Sequence, residues 1–325
     1  MIASYLPRLL CICLASFFLI HLAAGLLVSL LSPAVVRAAE RMRPRRAAGL
    51  LLALRLLPAA FGLAAVAGLC VPSYLWLEPP STGEEVGFAC LAAALLCLAC
   101  FAIALARSWR AASRSLGYIR YCQLVGRRTC LGAEASPAWV VEGPAPFLAL
   151  AGIVHPRLMV SSNVVAALPA EQLAAALRHE HAHHVSRDNL KRLLVLLAPD
   201  IVPFWRSFDC LERGWTRLAE WAADDRAAAG DSRRSLSLAA ALVHVARMGA
   251  CPQAPPLVTS LLADNADLAH RVDRLLREAP VETAGRATPV LAVAAGLTFC
   301  ASLGAWMLQP ATLYSVHRLL EHLTK

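Results

Sequence analysis

Long apolar stretches alternate with polar segments and divide the chain into membrane-length pieces. Four stretches of 19 to 25 residues carry almost no charge, namely residues 9–31, 47–71, 86–106 and 290–308. A bilayer core about 30 Å thick requires about 20 apolar residues in helical form, so each stretch is predicted to span a membrane once. The first is longer than the apolar core of a signal peptide and lacks a clear cleavage site, so we interpret it as a retained span.

The polar region between the third and fourth stretches predicts a folded domain of mixed structure. Short β-branched runs broken by glycine and proline between residues 139 and 165 predict a small meander or hairpin sheet. Helical patterns follow at residues 169–185, 189–197, 205–229, 236–248 and 268–276. The stretch from 193 to 205 is apolar but interrupted by Pro199, Asp200 and Pro203, so we expect it to lie at the bilayer surface.

The predicted fold is mainly α, a polytopic membrane protein with about four transmembrane helices. Residues 1–106 hold three spans, and residues 107–287 form a cytoplasmic α+β domain of about 180 residues, enough for its own core. Residues 288–325 hold the fourth span and a short external tail.

Composition and charge support a multi-pass protein of the inner, cytoplasmic membrane. Of the 325 residues, 58% are hydrophobic and 16% are charged, which excludes an ordinary soluble domain. The net charge of +9 comes from arginine, which is concentrated in the first connection and after the third span, whereas the second connection is acidic. Basic short loops stay in the cytoplasm, so we expect the amino terminus outside and the polar domain inside. The arginines and aromatic residues form no recognisable nucleic-acid-binding motif, and nucleic acid is not an expected partner.

The eleven cysteines do not predict a disulfide framework. Seven lie in or beside the apolar stretches and four are scattered, so we interpret them as small buried hydrophobic residues.

The candidate chemistry centres on the run His179-Glu180-His181-Ala182-His183. On a helix, His179 and His183 project from one face, one turn apart, and can bind a single Zn²⁺. Glu180 lies beside them as a candidate general base for a water molecule that zinc acidifies. His181 lies on another face, as does His184, and we expect both to be surface or outer residues.

A catalytic zinc site needs a third protein ligand, and the candidates lie 37 to 41 positions after His183. Glu220 and Asp224 are four residues apart on a predicted helix, flanked by alanine, leucine and tryptophan rather than by the polar residues of a solvated face. One of the two can bind zinc while the other accepts the ring N–H of a ligand histidine.

Taken together, these motifs resemble the BlaR/MecR-type membrane metallopeptidases, which are gluzincins related to the HtpX and CAAX prenyl proteases. The resemblance rests on the HEHAH run, on Arg187-Asp188 and Pro203-Phe204-Trp205, on the ExxxD motif at 220–224, and on three spans before the domain and one after. It implies that His179, His183 and Glu220 bind zinc, that Glu180 is the base and that Asp224 is an outer partner. It also suggests Arg271 as an oxyanion stabiliser. BlaR-type receptors continue into an external penicillin-binding sensor, which we expect to be absent here because the chain ends 17 residues after Leu308.

The sequence therefore favours an integral-membrane zinc endopeptidase that cleaves a cytoplasmic or membrane-associated protein, such as a transcriptional repressor. A membrane partner supplying a sensor is a further expectation. One alternative is an HtpX-like protease of membrane-protein quality control. Another, of a different class, is a noncatalytic signalling scaffold in which zinc is structural.

Overall fold

The computed structural model describes residues 2–77, 87–131, 136–143, 145–200, 206, 208–249, 255–261, 267–277, 309, 311–315 and 318. These residues form a mostly helical protein with one small sheet. The fourth predicted span, residues 290–308, lies outside the described residues, as do Pro203-Phe204-Trp205 and the acidic residues of the second connection.

Three long apolar helices match the first three predicted spans. Helix α1 covers Ile2–Ala39, and α2 covers Pro44–Ala65, continued by a π-helical turn, Val66–Cys70, and by α3, Val71–Leu77. Helix α4 covers Phe88–Val125. By length and composition all three can cross a membrane.

Helix α4 extends 19 residues beyond the predicted end of its span at residue 106. Basic side chains replace apolar ones there without ending the helix, because arginine is a good helix former. The helix stops at Gly126, where a Cβ atom would collide with the carbonyl oxygen of Cys122. The third span is thereby joined rigidly to the first strand of the sheet.

The sheet has five strands in the order β1-β2-β4-β3-β5. The strands are β1 Arg127–Leu131, β2 Ser136–Val141, β3 Leu148–Ala151, β4 Arg157–Ser161 and β5 Val258–Ser260. Strands β2 and β4 are parallel, and the other pairs are antiparallel. The predicted small sheet is present, and β3 and β4 form a hairpin. A simple meander is wrong, since β4 lies between β2 and β3, and β5 comes from far along the chain.

Six further helices precede residue 277: α5 Ser162–Ala167, α6 Ala170–Ser186, α7 Asp188–Leu197, α8 Asp209–Ala228, α9 Ser232–Arg247 and α10 Leu268–Leu276. Residues 311–315 are also helical. The sheet packs with α6, α9 and α10 around one core. A second core joins α8 to the ends of α1 and α2, where Leu211, Trp215 and Leu218 of α8 are buried against Val36 and Leu51. Helix α8 thus connects the membrane helices to the polar domain.

Candidate metal centre

Helix α6 presents the HEHAH run with one face buried and the other exposed. It begins after Pro169, which suits the start of a helix, and its alanine-rich first half packs into the core below the sheet. His179, Glu180 and His183 are at most 1% exposed, whereas the side chains of His181 and His184 are exposed. The expected division of the four histidines into an inner and an outer set is present in the structure.

Glu220 of α8 faces the two buried histidines. The Nε2 atoms of His179 and His183 lie 3.1 Å apart. The carboxylate of Glu220 lies 3.4 Å from Nε2 of His179 and 3.6 Å from Nε2 of His183. One ligand atom from each of the three residues therefore lies within 4.8 Å of the other two, a spacing at which they could hold a metal ion.

Each histidine has a carboxylate on its other ring nitrogen. Nδ1 of His183 lies 2.8 Å from Asp188, and Nδ1 of His179 lies 2.9 Å from Asp224. Asp188 accepts a hydrogen bond from Nδ1 of His183, so that ring, when neutral, offers Nε2 to a metal. Asp224 is equally close to Nδ1 of His179, but this contact is an ion-pair distance without hydrogen-bond geometry. Asp224 thus lies where an outer partner was predicted, behind His179.

The position of Asp188 depends on an abrupt helix junction. Helix α6 ends at Arg187, which adopts the left-handed conformation with φ of 54°, and α7 begins at the next residue. This reversal brings Asp188 back against His183, one turn before the junction. A left-handed arginine is uncommon, and sequence reasoning therefore assigned no role to Asp188.

Arg271 of α10 contacts the acidic residues of the site. Its Nε and Nη2 atoms donate to the two oxygens of Asp224 at 2.9 and 2.8 Å, and Nη1 donates to the carbonyl oxygen of Leu261 at 2.9 Å. Nη1 also lies 3.3 Å from Glu220. The geometry makes Arg271 a residue that positions Asp224. Its suggested oxyanion role stays a prediction.

Two residues of α7 connect the site to the sheet, and no sequence pattern singled out either of them. The amide of Asn189 donates to the carbonyl oxygens of Leu150 and Gly152 at 3.0 and 2.9 Å. Arg192 donates to the carbonyl oxygen of Val258 at 3.1 Å, and its guanidinium lies 3.9 Å from Glu220. Both anchor α7, and with it Asp188, against strands β3 and β5.

The other acidic candidates for a third ligand point elsewhere. Glu212 accepts a hydrogen bond from Arg55 at 2.8 Å, and Asp225 forms an ion pair with Arg274 at 2.6 Å. Among the described acidic residues of α8, only Glu220 joins the two histidines in a group that could hold a metal.

The buried site carries an excess of negative charge. Four buried carboxylates, those of Asp188, Glu180, Glu220 and Asp224, outnumber the cations of the site. These cations are the buried Arg271 and, at its edge, Lys191 beside Asp188 and Arg192 beside Glu220. Burial by itself would raise the pKa of Asp224, but Arg271 and His179 lower it to about 2. Such an excess is neutralised either by protons on the histidines or by a cation.

The pKa of His183 shows how strongly the carboxylates act. Burial would lower the pKa of this imidazole, yet the charge of Glu220 and the hydrogen bond with Asp188 raise it to about 10. Without a metal, the surrounding carboxylates therefore favour a proton on Nε2 of His183. A metal ion would take the place of its Nε2 proton.

Glu180 differs from the other carboxylates in having no assigned contact. Both of its oxygens are buried and make no hydrogen bond within the described part of the chain. Burial raises its pKa to about 7, against the opposing charge of the histidines. A carboxylate with this pKa is suited to accept and return a proton near neutral pH.

The residues present fit a divalent metal ion. Two imidazole nitrogens and one carboxylate form a three-ligand set, and both Glu220 oxygens are buried without a hydrogen bond to the described residues. The buried group could therefore hold a metal ion. A scan against protein-family models and a search of curated proteins returned no match to this chain.

Proposed function

We propose that the protein is an integral-membrane zinc endopeptidase. The observation that carries the proposal is a buried, unpaired Glu180 directly beside a His179-His183-Glu220 ligand set. A set of two histidines and one glutamate suits zinc, and it leaves a fourth coordination position open. A structural zinc site would instead use a fourth protein ligand and would need no adjacent base, which disfavours the noncatalytic scaffold.

The roles of the residues follow from their surroundings. Bound zinc would polarise the scissile carbonyl group and acidify a water molecule. Glu180 would accept a proton from the attacking water and return it to the leaving amine, since its raised pKa lies near neutral. Asp188 and Asp224 would hold the rings of His183 and His179 in orientation, and Arg271 would hold Asp224.

The proposed setting is the inner membrane with the metal centre in the cytoplasm. Three apolar helices can cross a bilayer. The basic connection between α1 and α2 lies at the same end of the bundle as the metal domain, because Glu40 pairs there with Arg217 of α8. Basic residues close to this end favour a cytoplasmic location, with the amino terminus outside.

A protein substrate in the cytoplasm or at the membrane surface is part of the proposal. A transcriptional repressor remains the preferred example through the resemblance to the BlaR/MecR type, with an HtpX-like quality-control role as the alternative. The strand-forming segment 147–154 could present a peptide bond to a metal by pairing with an extended substrate only if it had a free edge. In the described sheet its strand β3 lies between β4 and β5, so substrate binding by edge pairing at this segment is not part of the proposal.

The test uses purified full-length protein, fluorescently labelled casein as an unfolded substrate, and metal analysis. Glu180→Gln should abolish cleavage while retaining about one zinc per chain, because it removes the base and keeps the ligands. His183→Ala should lose both. His184→Ala is the matched control, since this exposed side chain lies on the same helix and should leave both intact. Cleavage by Glu180→Gln at most of the wild-type rate would refute the assignment.

A further inference from the structure

Four cysteines lie together at the end of the helical bundle opposite the metal centre. Cys11 and Cys13 lie in the first turns of α1, Cys70 ends the π-helical turn between α2 and α3, and Cys90 lies in the first turn of α4. The sulfur atoms of Cys11 and Cys90 are 3.9 Å apart. Those of Cys13 and Cys70 are 3.8 Å apart.

The two contacts have different geometric origins. Residues two apart on a helix point about 200° from each other, so Cys11 and Cys13 face different neighbours. Each nevertheless meets a cysteine, one on α4 and one on the second span. If these residues served only as small apolar residues for packing, neither contact would need a cysteine on both sides. By contrast, Cys97 and Cys100 of α4 pack in a cluster with Phe17 and Phe18.

We propose that these four residues form a two-pair dithiol site that closes into disulfides Cys11–Cys90 and Cys13–Cys70 by exchange with an external disulfide. The thiolate of Cys11 attacks the external disulfide, forms a mixed disulfide and releases one thiol. The thiolate of Cys90 then attacks the Cys11 sulfur and releases the second thiol. The protein pair is oxidised by two electrons, the external disulfide is reduced, and the two cysteine protons leave with the released thiols.

Exposure assigns a role to each member of a pair. Cys11 and Cys13 are half-buried, whereas Cys70 and Cys90 are buried. All four cysteines lie within four residues of a predicted span end, at residue 9, 71 or 86. A reagent at the membrane surface or dissolved in the bilayer therefore meets the less buried cysteines of α1 first, and the buried partners resolve the mixed disulfide. In the orientation proposed above, this end faces the outside of the cell, where disulfides persist.

Closure requires a small local movement. The sulfurs are at van der Waals separation and must approach to about 2.05 Å. The π-helical turn that ends at Cys70 interrupts regular α-helical bonding, so the backbone is least regular where one partner must move. The closed pairs would tie the first span to both of the others. Since α4 continues for about 50 Å from Cys90 to Gly126, this chemistry is separate from the metal centre.

The first test detects the Cys11–Cys90 bond in full-length protein in membranes. A protease cleavage sequence is inserted in the connection 78–86, so that cleavage separates Cys11 from Cys90. After treatment with oxidised glutathione or with membrane-permeant dithiodipyridine, free thiols are blocked and the cleaved fragments are run on a non-reducing gel. We expect more than half of the cleaved molecules to stay joined and to separate on reduction.

Matched variants make the result specific. Cys90→Ser and Cys11→Ser should each lower the joined fraction at least tenfold, whereas Cys97→Ser, two turns further along α4, should leave it unchanged. A second variant detects the Cys13–Cys70 bond in the same way. It carries the cleavage sequence in the connection 40–43, together with Cys11→Ser to prevent the first bond. Its negative control additionally carries Cys70→Ser. Absence of joined fragments with both reagents, or joining that survives Cys90→Ser, would overturn the proposal.

Discussion

Arg55 is the buried charge whose removal the structure allows us to predict in most detail. It lies in the second span and is 1% exposed, and its Nε donates to Glu212 of α8 at 2.8 Å. Its Nη2 donates to the carbonyl oxygens of Val195 and Ala198 at 3.3 and 3.1 Å, beside the end of α7, and to the carboxylate of Asp200 at 3.3 Å. Its guanidinium also lies over the ring of Phe208, 4.4 Å from the centroid. One side chain therefore links a membrane helix to both α7 and α8.

Arg55→Met would leave the Glu212 carboxylate without its partner and would remove the donor from two carbonyl groups. Breaking a buried ion pair costs about 3–5 kcal/mol. A quarter of the Glu212 side chain is exposed, so water can replace part of the lost contact. We therefore expect a loss near the lower end, about 3 kcal/mol in the free energy of unfolding. Arg107→Met is the comparison variant in the same network and should cost about 1 kcal/mol, because this arginine is more exposed and its partner Asp200 keeps the contact with Arg55.

The assay is denaturant unfolding of the detergent-solubilised protein, combined with zinc affinity. The double variant Arg55→Met with Glu212→Met should be at least about 1 kcal/mol more stable than Arg55→Met alone, because it leaves no unpaired carboxylate on α8. Zinc affinity should fall about tenfold in Arg55→Met, as for loss of an outer partner, since Glu220 lies two turns along the same helix as Glu212. A loss below 1 kcal/mol, or no recovery in the double variant, would refute the reasoning.

Three further predictions concern the metal centre and the topology. Zinc affinity, measured by competition with a chelator, should fall about 10–100-fold in Asp224→Ala and further in Glu220→Ala. If Asp224→Ala loses more affinity than Glu220→Ala, the ligand is Asp224 and the outer partner is Glu220. Zinc binding to metal-free protein should release protons and should weaken as the pH falls below about 10, because the metal displaces the proton that the carboxylates hold on His183. Calorimetry in buffers of different ionisation enthalpy would detect the released protons. The absence of proton release near pH 7 would contradict this prediction. Cysteines placed at Arg43 and Ser232 should resist a membrane-impermeant thiol reagent in intact cells, and labelling of either would reverse the proposed orientation.

Local patterns were sufficient for much of the fold and the site. The first three apolar stretches correspond to helices because burial and length act along a single segment. The buried face of α6 follows from helical periodicity, which places His179 and His183 one turn apart. The candidates for the third ligand could be limited to Glu220 and Asp224, since acidic residues among alanine and leucine are rare on a solvated helix face.

Contacts that depend on backbone reversals or on distant pairing could not be predicted in this way. Strand β1 is mostly exposed and lacks an alternating pattern, and β5 has three residues, so neither gives a local signal. Asp188 reaches His183 only because Arg187 adopts the left-handed conformation. A sequence pattern predicts that conformation at a glycine but not at an arginine. The bidentate contact of Arg271 with Asp224 joins residues 47 positions apart.

The residue group that could hold a metal ion lies where the two cores of the protein meet. His179 and His183 are carried by α6, which packs with the sheet and α9. Glu220 is carried by α8, whose preceding turns pack against α1 and α2. A metal ion held by all three residues would therefore join the polar domain to the membrane helices, and its binding free energy would add to the stability of that junction. A shift of the second span would move Glu212 of α8 through its contact with Arg55. Because Glu220 lies on the same helix, such a shift would change the distance between Glu220 and the two histidines.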